Sequence, residues 1–449
     1  MYMRDLKNLS GKKQGFRTSR FDRRKLEAIK NLIRKGPADR RLRIILPILA
    51  LVIGAYPTFS SLMSSGSAQS GFAHSVTPSV PFFPHFGRLD KIRSFTYAAA
   101  ALPNARFVNG ELTAPSPVGG CILYSVDQEL QERVEKVMRD SQVPYGVFVA
   151  IEPKSGRILA MAAHSSIDPS WERNSYYNLY PMASLFKIVT AAAALEQNKV
   201  SPETVFAFSG RHASENPRYW CVKPGKHNQE MSLDMAMGKS VNPVFGRLAS
   251  DVVGRDSMVS FAERFGFNQR LLPGTCLKAS SYSFPQNDSE LKLMGAGLCR
   301  EVKISPLHAA AIMSAIANNG VMMFPSLAKE IRNTRGEPVF VQQDEPLRSL
   351  VNPETAAKLE KMLSKTVESG TSRRVFHDRR GRALLSYIDI AAKTGSINGS
   401  DPSGHYSWFA AYAPMDDPQI ALAALVINQD KWKIKAANVG EQALEAFFR

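Results

Sequence analysis

The sequence contains no Cys-x-x-Cys pair and no His-Glu-x-x-His helix, and its eight histidines are scattered. Neighbouring residues therefore supply no zinc site. Cysteine is scarce: Cys121, Cys221, Cys276 and Cys299 are the whole complement. Four cysteines allow three full pairings, and free buried thiols are equally open. No internal repeat is present, which excludes solenoids and propellers. Charge is missing from one long stretch, since no Lys, Arg, Asp or Glu occurs from Ile44 to Gly87. What remains is ordinary. With 449 residues, 44% of them hydrophobic and 22% charged, the chain is neither disordered nor fibrous. It is long enough for one large domain or two to three smaller ones.

The formal net charge of +17 suggests nucleic acid until its placement is considered. Residues 1–43 carry fifteen basic side chains, among them Lys12, Lys13, Arg23, Arg24, Arg40, Arg41 and Arg43, against four acidic ones. That arm holds +11 and leaves +6 for the other 406 residues, so no nucleic-acid partner is expected. The apolar run Ile44–Phe59 follows at once and extends without charge through Ser60 to Met63. A basic flank against an apolar span of about 20 residues fits the positive-inside rule. Three readings compete: a retained signal anchor, a signal peptide cleaved near Ser64–Gln69, and a buried core helix. The charge asymmetry favours the anchor. The chain is then organised as a cytoplasmic arm (1–43), a transmembrane anchor (44–63), a periplasmic linker or stem (64–121), and a catalytic domain (122–449).

Residues 64–118 are rich in Ser, Pro, Gly and Phe and lack sustained periodicity, which reads as a linker with a small packed stem. Regular patterns begin near residue 122. Leu130, Val134 and Val137 share one face of a helix, and 146–152 with 157–161 reads as a hairpin. Mainly helical segments follow to about 366. Two strand-like runs, 408–412 and 420–427, then precede a helix at about 436–448. Strands at both ends of a helical insert predict one α+β domain, a mainly antiparallel sheet flanked by helices.

A nucleophilic serine needs a base in reach, and a lysine serves once its proton is displaced. Ser-x-x-Lys sets the two on one helix face. The pattern occurs four times, at Ser10/Lys13, Ser184/Lys187, Ser289/Lys292 and Ser326/Lys329, and by itself marks only solvated side chains. Ser184 differs because Pro181–Lys187 opens into the strongly apolar segment Ile188–Leu195. The serine then sits at a helix N-terminus, where backbone N–H groups favour negative charge, and Lys187 enters the core. A second polar pair, Ser240-Val-Asn242, is one of three Ser-x-Asn triplets, with Ser214 and Ser396. Lys393-Thr-Gly-Ser396 is more specific, since Lys-Thr-Gly occurs once. On a strand Lys393 and Gly395 share a face, Thr394 points the other way, and Gly395 admits a close neighbour.

Ser184-x-x-Lys187, Ser240-x-Asn242 and Lys393-Thr394-Gly395-Ser396, in this order, resemble the transpeptidase domain of penicillin-binding proteins and serine β-lactamases. The likeness spans about residues 122–445. It is supported by Pro153–Met161, Met294–Leu298, Ile304–His308, Ile312–Gly320, Val367–Thr371 and Trp408–Pro414. The resemblance implies the penicillin-binding fold with an all-helical insert. It implies Ser184 as acylated nucleophile, Lys187 as base, Ser240 as proton relay, and Asn242 positioning the substrate amide. Lys393 would keep Lys187 neutral, and the Thr394 and Ser396 hydroxyls would hold the substrate carboxylate. Backbone N–H groups of Ser184 and Ser396 would form an oxyanion hole.

The implied reaction is cross-linking of peptidoglycan stem peptides, D-Ala-D-Ala donor to amine acceptor, with β-lactams as ligands and no metal or organic cofactor. A D,D-carboxypeptidase, a class D-like β-lactamase and a β-lactam sensor are the alternatives. The expected location is the bacterial inner membrane, with the N-terminus cytoplasmic and the catalytic domain periplasmic. No glycosyltransferase domain is recognisable, so a separate glycan polymerase is an expected partner. Two departures stand out: Ala296 occupies a position where the family usually has Gln, and Ser396 replaces a commoner Thr.

Overall fold

The computed structural model of the chain describes residues 90–225, 228–429 and 432–449. The basic arm and the segment 44–63 lie outside the described residues. Among the described residues no helix is long and apolar enough to cross a membrane.

An antiparallel five-stranded sheet forms the centre, in the order Ala391–Ser400, Ser403–Ala413, Ile420–Asn428, Tyr145–Ile151, Ile158–His164. The hairpin expected at 146–161 and the two late strand-like runs thus meet side by side. The strand Ile420–Asn428 is buried at every position. Its alternate residues feed two cores: Ala423 and Leu425 join Val147 and Val149 on one face, and Leu422, Ala424 and Val426 join Phe148 on the other. Burial on both faces is why this stretch is apolar throughout rather than alternating.

The second face is covered by the helices Gln128–Asp140 and Ala436–Phe448, through Leu130, Val134 and Met138 and through Val439, Ala443 and Leu444. Met138 takes the deep position, and Val137 is only partly buried beside it. Asp127 caps the first helix by accepting the Leu130 N–H. The first face is covered by the helices Pro306–Ala317 and Pro353–Glu368, and the helix Lys187–Glu196 packs against the second of these. The molecule is an α+β fold of antiparallel sheet flanked by helices.

The helical insert differs from expectation. It is not all-helical, because short ladders pair Tyr180–Pro181 with Lys303–Ile304, Val205–Phe208 with Gln229–Ser232, and Val321–Met323 with Pro346–Ser349. Strands of two to four residues are too short for alternation to register. Residues 90–120 also fold more fully than a linker. The helix Lys91–Ala101 is capped by Asp90 and buries Phe95 and Ala98 in the main core. The strands Arg106–Val108 and Glu111–Pro115 add to Cys121–Tyr124, Ala328–Arg332 and Pro338–Val341 in a second antiparallel sheet. The Tyr124 hydroxyl donates to the Ala98 carbonyl at 2.8 Å, tying helix to sheet. All four cysteines are free thiols.

Candidate active site

Ser184 lies in the 3₁₀ turn Ala183–Phe186, which runs directly into the helix Lys187–Glu196. Ala183 holds a positive φ of 54°, a strained conformation for a residue with a Cβ. Surrounding contacts hold that turn. Trp408 Nε1 donates to the Pro181 carbonyl at 2.8 Å, and the Met182 N–H donates to the Val302 carbonyl at 2.9 Å. Gly297, at φ 70°, presses on the turn from below. A Cβ there would stand 2.3 Å from the Ala183 carbonyl oxygen.

One helical turn on, Lys187 is completely buried. Its Nζ lies 2.7 Å from Ser184 Oγ, 2.8 Å from Asn242 Oδ1 and 2.6 Å from the Ala296 carbonyl oxygen. Burial, and next the positive charge of Lys393, hold this amine well below the ordinary lysine pKa. The bonding pattern is consistent with that. Asn242 Oδ1 and the Ala296 carbonyl can only accept, so they engage two N–H groups. The neutral amine's lone pair is then left facing the Ser184 hydroxyl. Ala296 contributes through its backbone, which is why an apolar side chain is compatible with the site.

Asn242 opens the short helix Asn242–Arg247. Its Nδ2 donates to the Ser214 carbonyl at 3.3 Å, and its backbone N–H to the His212 carbonyl at 2.8 Å. The loop carrying Ser214 is seated by buried Trp220, whose Nε1 donates to Ser214 Oγ at 3.1 Å. The indole packs so closely on Gly246 that a Cβ there would clash at 2.1 Å. Ser240, two residues before Asn242, has φ 57°, a second strained non-glycine residue at the site.

Lys393 projects from the edge strand Ala391–Ser400 and is fully buried. Its Nζ donates to Ser240 Oγ at 2.9 Å and to the Thr394 carbonyl at 2.8 Å. Burial pushes its pKa down to about 7. Gly395 packs 3.1–3.4 Å, at its Cβ position, from Trp408 Cβ, Ala183 Cβ and the Met182 carbonyl, which brings this strand against the serine turn. Thr394 is half-buried and bonded to Thr371 Oγ1 at 2.5 Å, while Ser396 is exposed and bonded to His405 Nε2 at 2.9 Å.

All eight residues singled out in the sequence therefore lie around one cleft. Two of the other Ser-x-x-Lys pairs do not: Lys292 pairs with Asp288 at 2.6 Å and Lys329 with Glu111 at 3.1 Å. Ser10/Lys13 lies outside the described residues. Sequence reasoning missed Thr371, Ser214, His405 and the Ala296 carbonyl. The other two Ser-x-Asn triplets, at Ser214 and Ser396, also lie at this site, a recurrence that could have signalled Ser214. Among the described residues no group of His, Cys, Asp or Glu is arranged to hold a metal.

Comparison with known proteins places this geometry in a family. The model of the penicillin binding protein transpeptidase domain matches residues 146–445. Peptidoglycan D,D-transpeptidase PbpA of Mycolicibacterium smegmatis is 27% identical over 347 residues, covering 70% of this chain and 68% of that protein. Stage V sporulation protein D of Bacillus subtilis is 26% identical over 326 residues, covering 68% of this chain but only 49% of that longer protein. Among solved structures, the imipenem acyl-enzyme complex of penicillin-binding protein A from M. tuberculosis shares the fold with a TM-score of 0.61 at 23% identity, covering 73% of this chain and 79% of that one. The D,D-transpeptidase domain of a peptidoglycan glycosyltransferase from Eggerthella lenta gives 0.58 at 26% identity, covering 73% and 82%. With two thirds of its length matched by the family model, this chain belongs to the penicillin-binding protein transpeptidase family.

Proposed function

We propose that the chain is a membrane-anchored serine D,D-transpeptidase that cross-links peptidoglycan stem peptides through an acyl-enzyme on Ser184 and is acylated there by β-lactams. The observation that carries this reading is the buried, doubly engaged Lys187 amine 2.7 Å from Ser184 Oγ. As Ser184 Oγ attacks the carbonyl of the penultimate D-alanine, its proton passes to the Lys187 lone pair. Negative charge develops on the carbonyl oxygen. The N–H of Ser184 at the start of its helix and the N–H of Ser396 are the candidate oxyanion donors, each such donor being worth about 2.7–4 kcal/mol. The Thr394 carbonyl accepts from Lys393 on the free edge of the strand. The two-residue period directs the Ser396 N–H to that same edge.

Collapse of the tetrahedral intermediate expels D-alanine, whose nitrogen must gain a proton. Ser240 suits this step, because Lys393 Nζ donates to its oxygen and leaves the hydroxyl proton free for the leaving group. The proton that Lys187 took from Ser184 then restores the Ser240 hydroxyl and returns Lys187 to the neutral amine. An amine from a second stem peptide then attacks the ester, with Lys187 taking its proton in turn. The Thr394 and Ser396 hydroxyls bind the terminal carboxylate, and that charge favours the protonated form of Lys393. No metal or organic cofactor enters the scheme. The basic arm and the segment 44–63 are read as a cytoplasmic flank and single inner-membrane anchor with the catalytic domain periplasmic, and a separate glycan polymerase as partner.

Incubation with stem-pentapeptide muropeptides separates transfer from hydrolysis. Cross-linked dimers are the expected product. Free D-alanine without dimers would make the protein a carboxypeptidase.

A further inference from the structure

On the outer end of the edge hairpin, beyond the eight residues of the cleft, a histidine is wired to the serine that faces the carboxylate. His405 pairs across the strands with Asn398 and lies diagonal to Ser396, all three on one face. Its Nε2 is 2.9 Å from Ser396 Oγ, and its Nδ1 is 2.8 Å from Asn398 Oδ1. The ring is held from behind by Trp432, edge-on at 4.4 Å between centroids, and Lys435 lies over the indole at 5.6 Å. That loop is fixed to the sheet by Asn428, which accepts from the Lys433 N–H at 2.8 Å and donates to the Ile434 carbonyl at 3.0 Å. The imidazole therefore has a defined orientation although it is only half-buried.

This orientation fixes the direction of the serine proton. Asn398 Oδ1 can only accept, so Nδ1 carries a hydrogen in both charge states. In neutral His405, Nε2 must then accept, and the Ser396 hydroxyl spends its proton on the ring. In the imidazolium, Nε2–H donates to Ser396 Oγ, and the hydroxyl proton is released towards the substrate. A carboxylate can only accept, so it engages Ser396 when His405 is protonated and meets a lone pair when His405 is neutral.

Resting on the reading that Ser396 holds the donor carboxylate, we propose that His405 is a positioning residue whose protonation turns the Ser396 hydroxyl towards that carboxylate, making donor affinity proton-linked. In the free enzyme burial, and next the charge of Lys435, lower the His405 pKa below its ordinary value. The neighbouring strands present the uncharged Ser396, Asn398 and Asn428 to the ring, so among the described residues Lys435 is the charged group that bears on it. A bound carboxylate opposes both effects and raises the pKa. Donor affinity is then highest at low pH, where His405 is protonated with or without donor. It weakens as pH rises through the free-enzyme pKa and levels off above the donor-bound one.

The test uses the full chain and two thioester donors of one peptide, ending in a carboxylate or in the corresponding carboxamide, with KM and kcat read from thiol release. Taking the ratio of the two donors cancels titration of Lys187; Lys393 also senses the carboxylate, so its share of any pH dependence is read from His405→Gln, which leaves Lys393 in place. In wild type the carboxylate-to-amide KM ratio is expected to rise about five- to tenfold between about pH 5 and pH 8, with the kcat ratio flat. In His405→Gln only the part of the rise carried by Lys393 should remain, so the ratio starts higher at pH 5 and climbs less than in wild type. The amide donor's kinetics in the same variant report that the fold is intact. A rise with pH in His405→Gln as large as that in wild type, or a flat ratio in wild type, overturns the proposal. Ser396→Ala separates this from the underlying reading: if its carboxylate-to-amide ratio matches wild type at pH 5, Ser396 does not hold the carboxylate at all.

Discussion

At the residue scale the proposed mechanism gives two buried lysines different duties. Lys187 acts as neutral amine, so acylation falls as pH drops through its depressed pKa. Lys393 acts as cation, and in the free enzyme it loses its charge as pH rises through about 7. The expected kcat/KM profile for β-lactam acylation is therefore bell-shaped, with its descending limb starting near neutrality, as stopped-flow acylation rates will check. Burying Lys393 also costs stability. Its folded pKa of about 7 lies below the 10.5 of an unconstrained lysine, so between those values the unfolded chain binds more protons. Stability contributed by this group consequently rises with pH across that window. Lys393→Met should remove that rise and increase the melting temperature at neutral pH, while abolishing acylation, an exchange of activity for stability common at active sites. Thermal unfolding at pH 7 and pH 9 measures both variants. A smaller effect is expected from Thr371→Val, which deprives Thr394 of its 2.5 Å partner. It should raise KM for carboxylate donors about fivefold, with kcat little changed, in keeping with loss of one hydrogen bond of about 1 kcal/mol.

At the element scale, the serine turn depends on a backbone that only glycine provides. Gly297 occupies φ 70° with its Cβ direction pointing 2.3 Å from the Ala183 carbonyl and 2.9 Å from Ser184 Cα. Gly297→Ala must displace the turn that aims Ser184. A loss of at least about tenfold in acylation rate and of about 2 kcal/mol in stability is expected, from penicillin-binding kinetics and urea unfolding. Much at this scale was legible in the sequence. The helix Ala436–Phe448, the hairpin at 145–164 and the buried strand Ile420–Asn428 announce themselves by long apolar runs. So do Ser184 and Lys187, because the apolar helix behind them distinguishes their motif from its three copies. What escaped has a common physical origin. The strands Arg106–Val108 and Glu111–Pro115 are three and five residues long, and their sheet is completed by Ala328–Arg332, some 200 residues later. Thr371, His405 and the Ala296 carbonyl make their contacts only once separate parts of the chain are folded together, and a backbone carbonyl leaves no mark on side-chain identity.

At the scale of the whole molecule, one sheet serves both cores and sets the site at its edge. The strand bearing Lys393 has a neighbour on one side only, and its free edge faces the serine turn. Catalysis is thus built where the sheet stops, with rigid packing behind it. In the proposed topology the +11 arm and the uncharged segment after it account for most of the basic excess: it would set orientation at a membrane rather than bind nucleic acid. Full-length protein is accordingly expected to sediment with membranes and to resist alkaline carbonate, and a variant lacking residues 1–63 to remain in the supernatant. Recovery of both in the supernatant would remove the anchor from the account.

The central claim is that Ser184 is the residue that becomes acylated. Labelling with fluorescent penicillin tests it directly, using wild type and Ser184→Ala side by side, with thermal unfolding to establish that both are folded. Wild type is expected to carry one label that survives denaturation, and Ser184→Ala none. A folded Ser184→Ala protein that still retains covalent label would contradict the assignment and, with it, the mechanism built on Lys187.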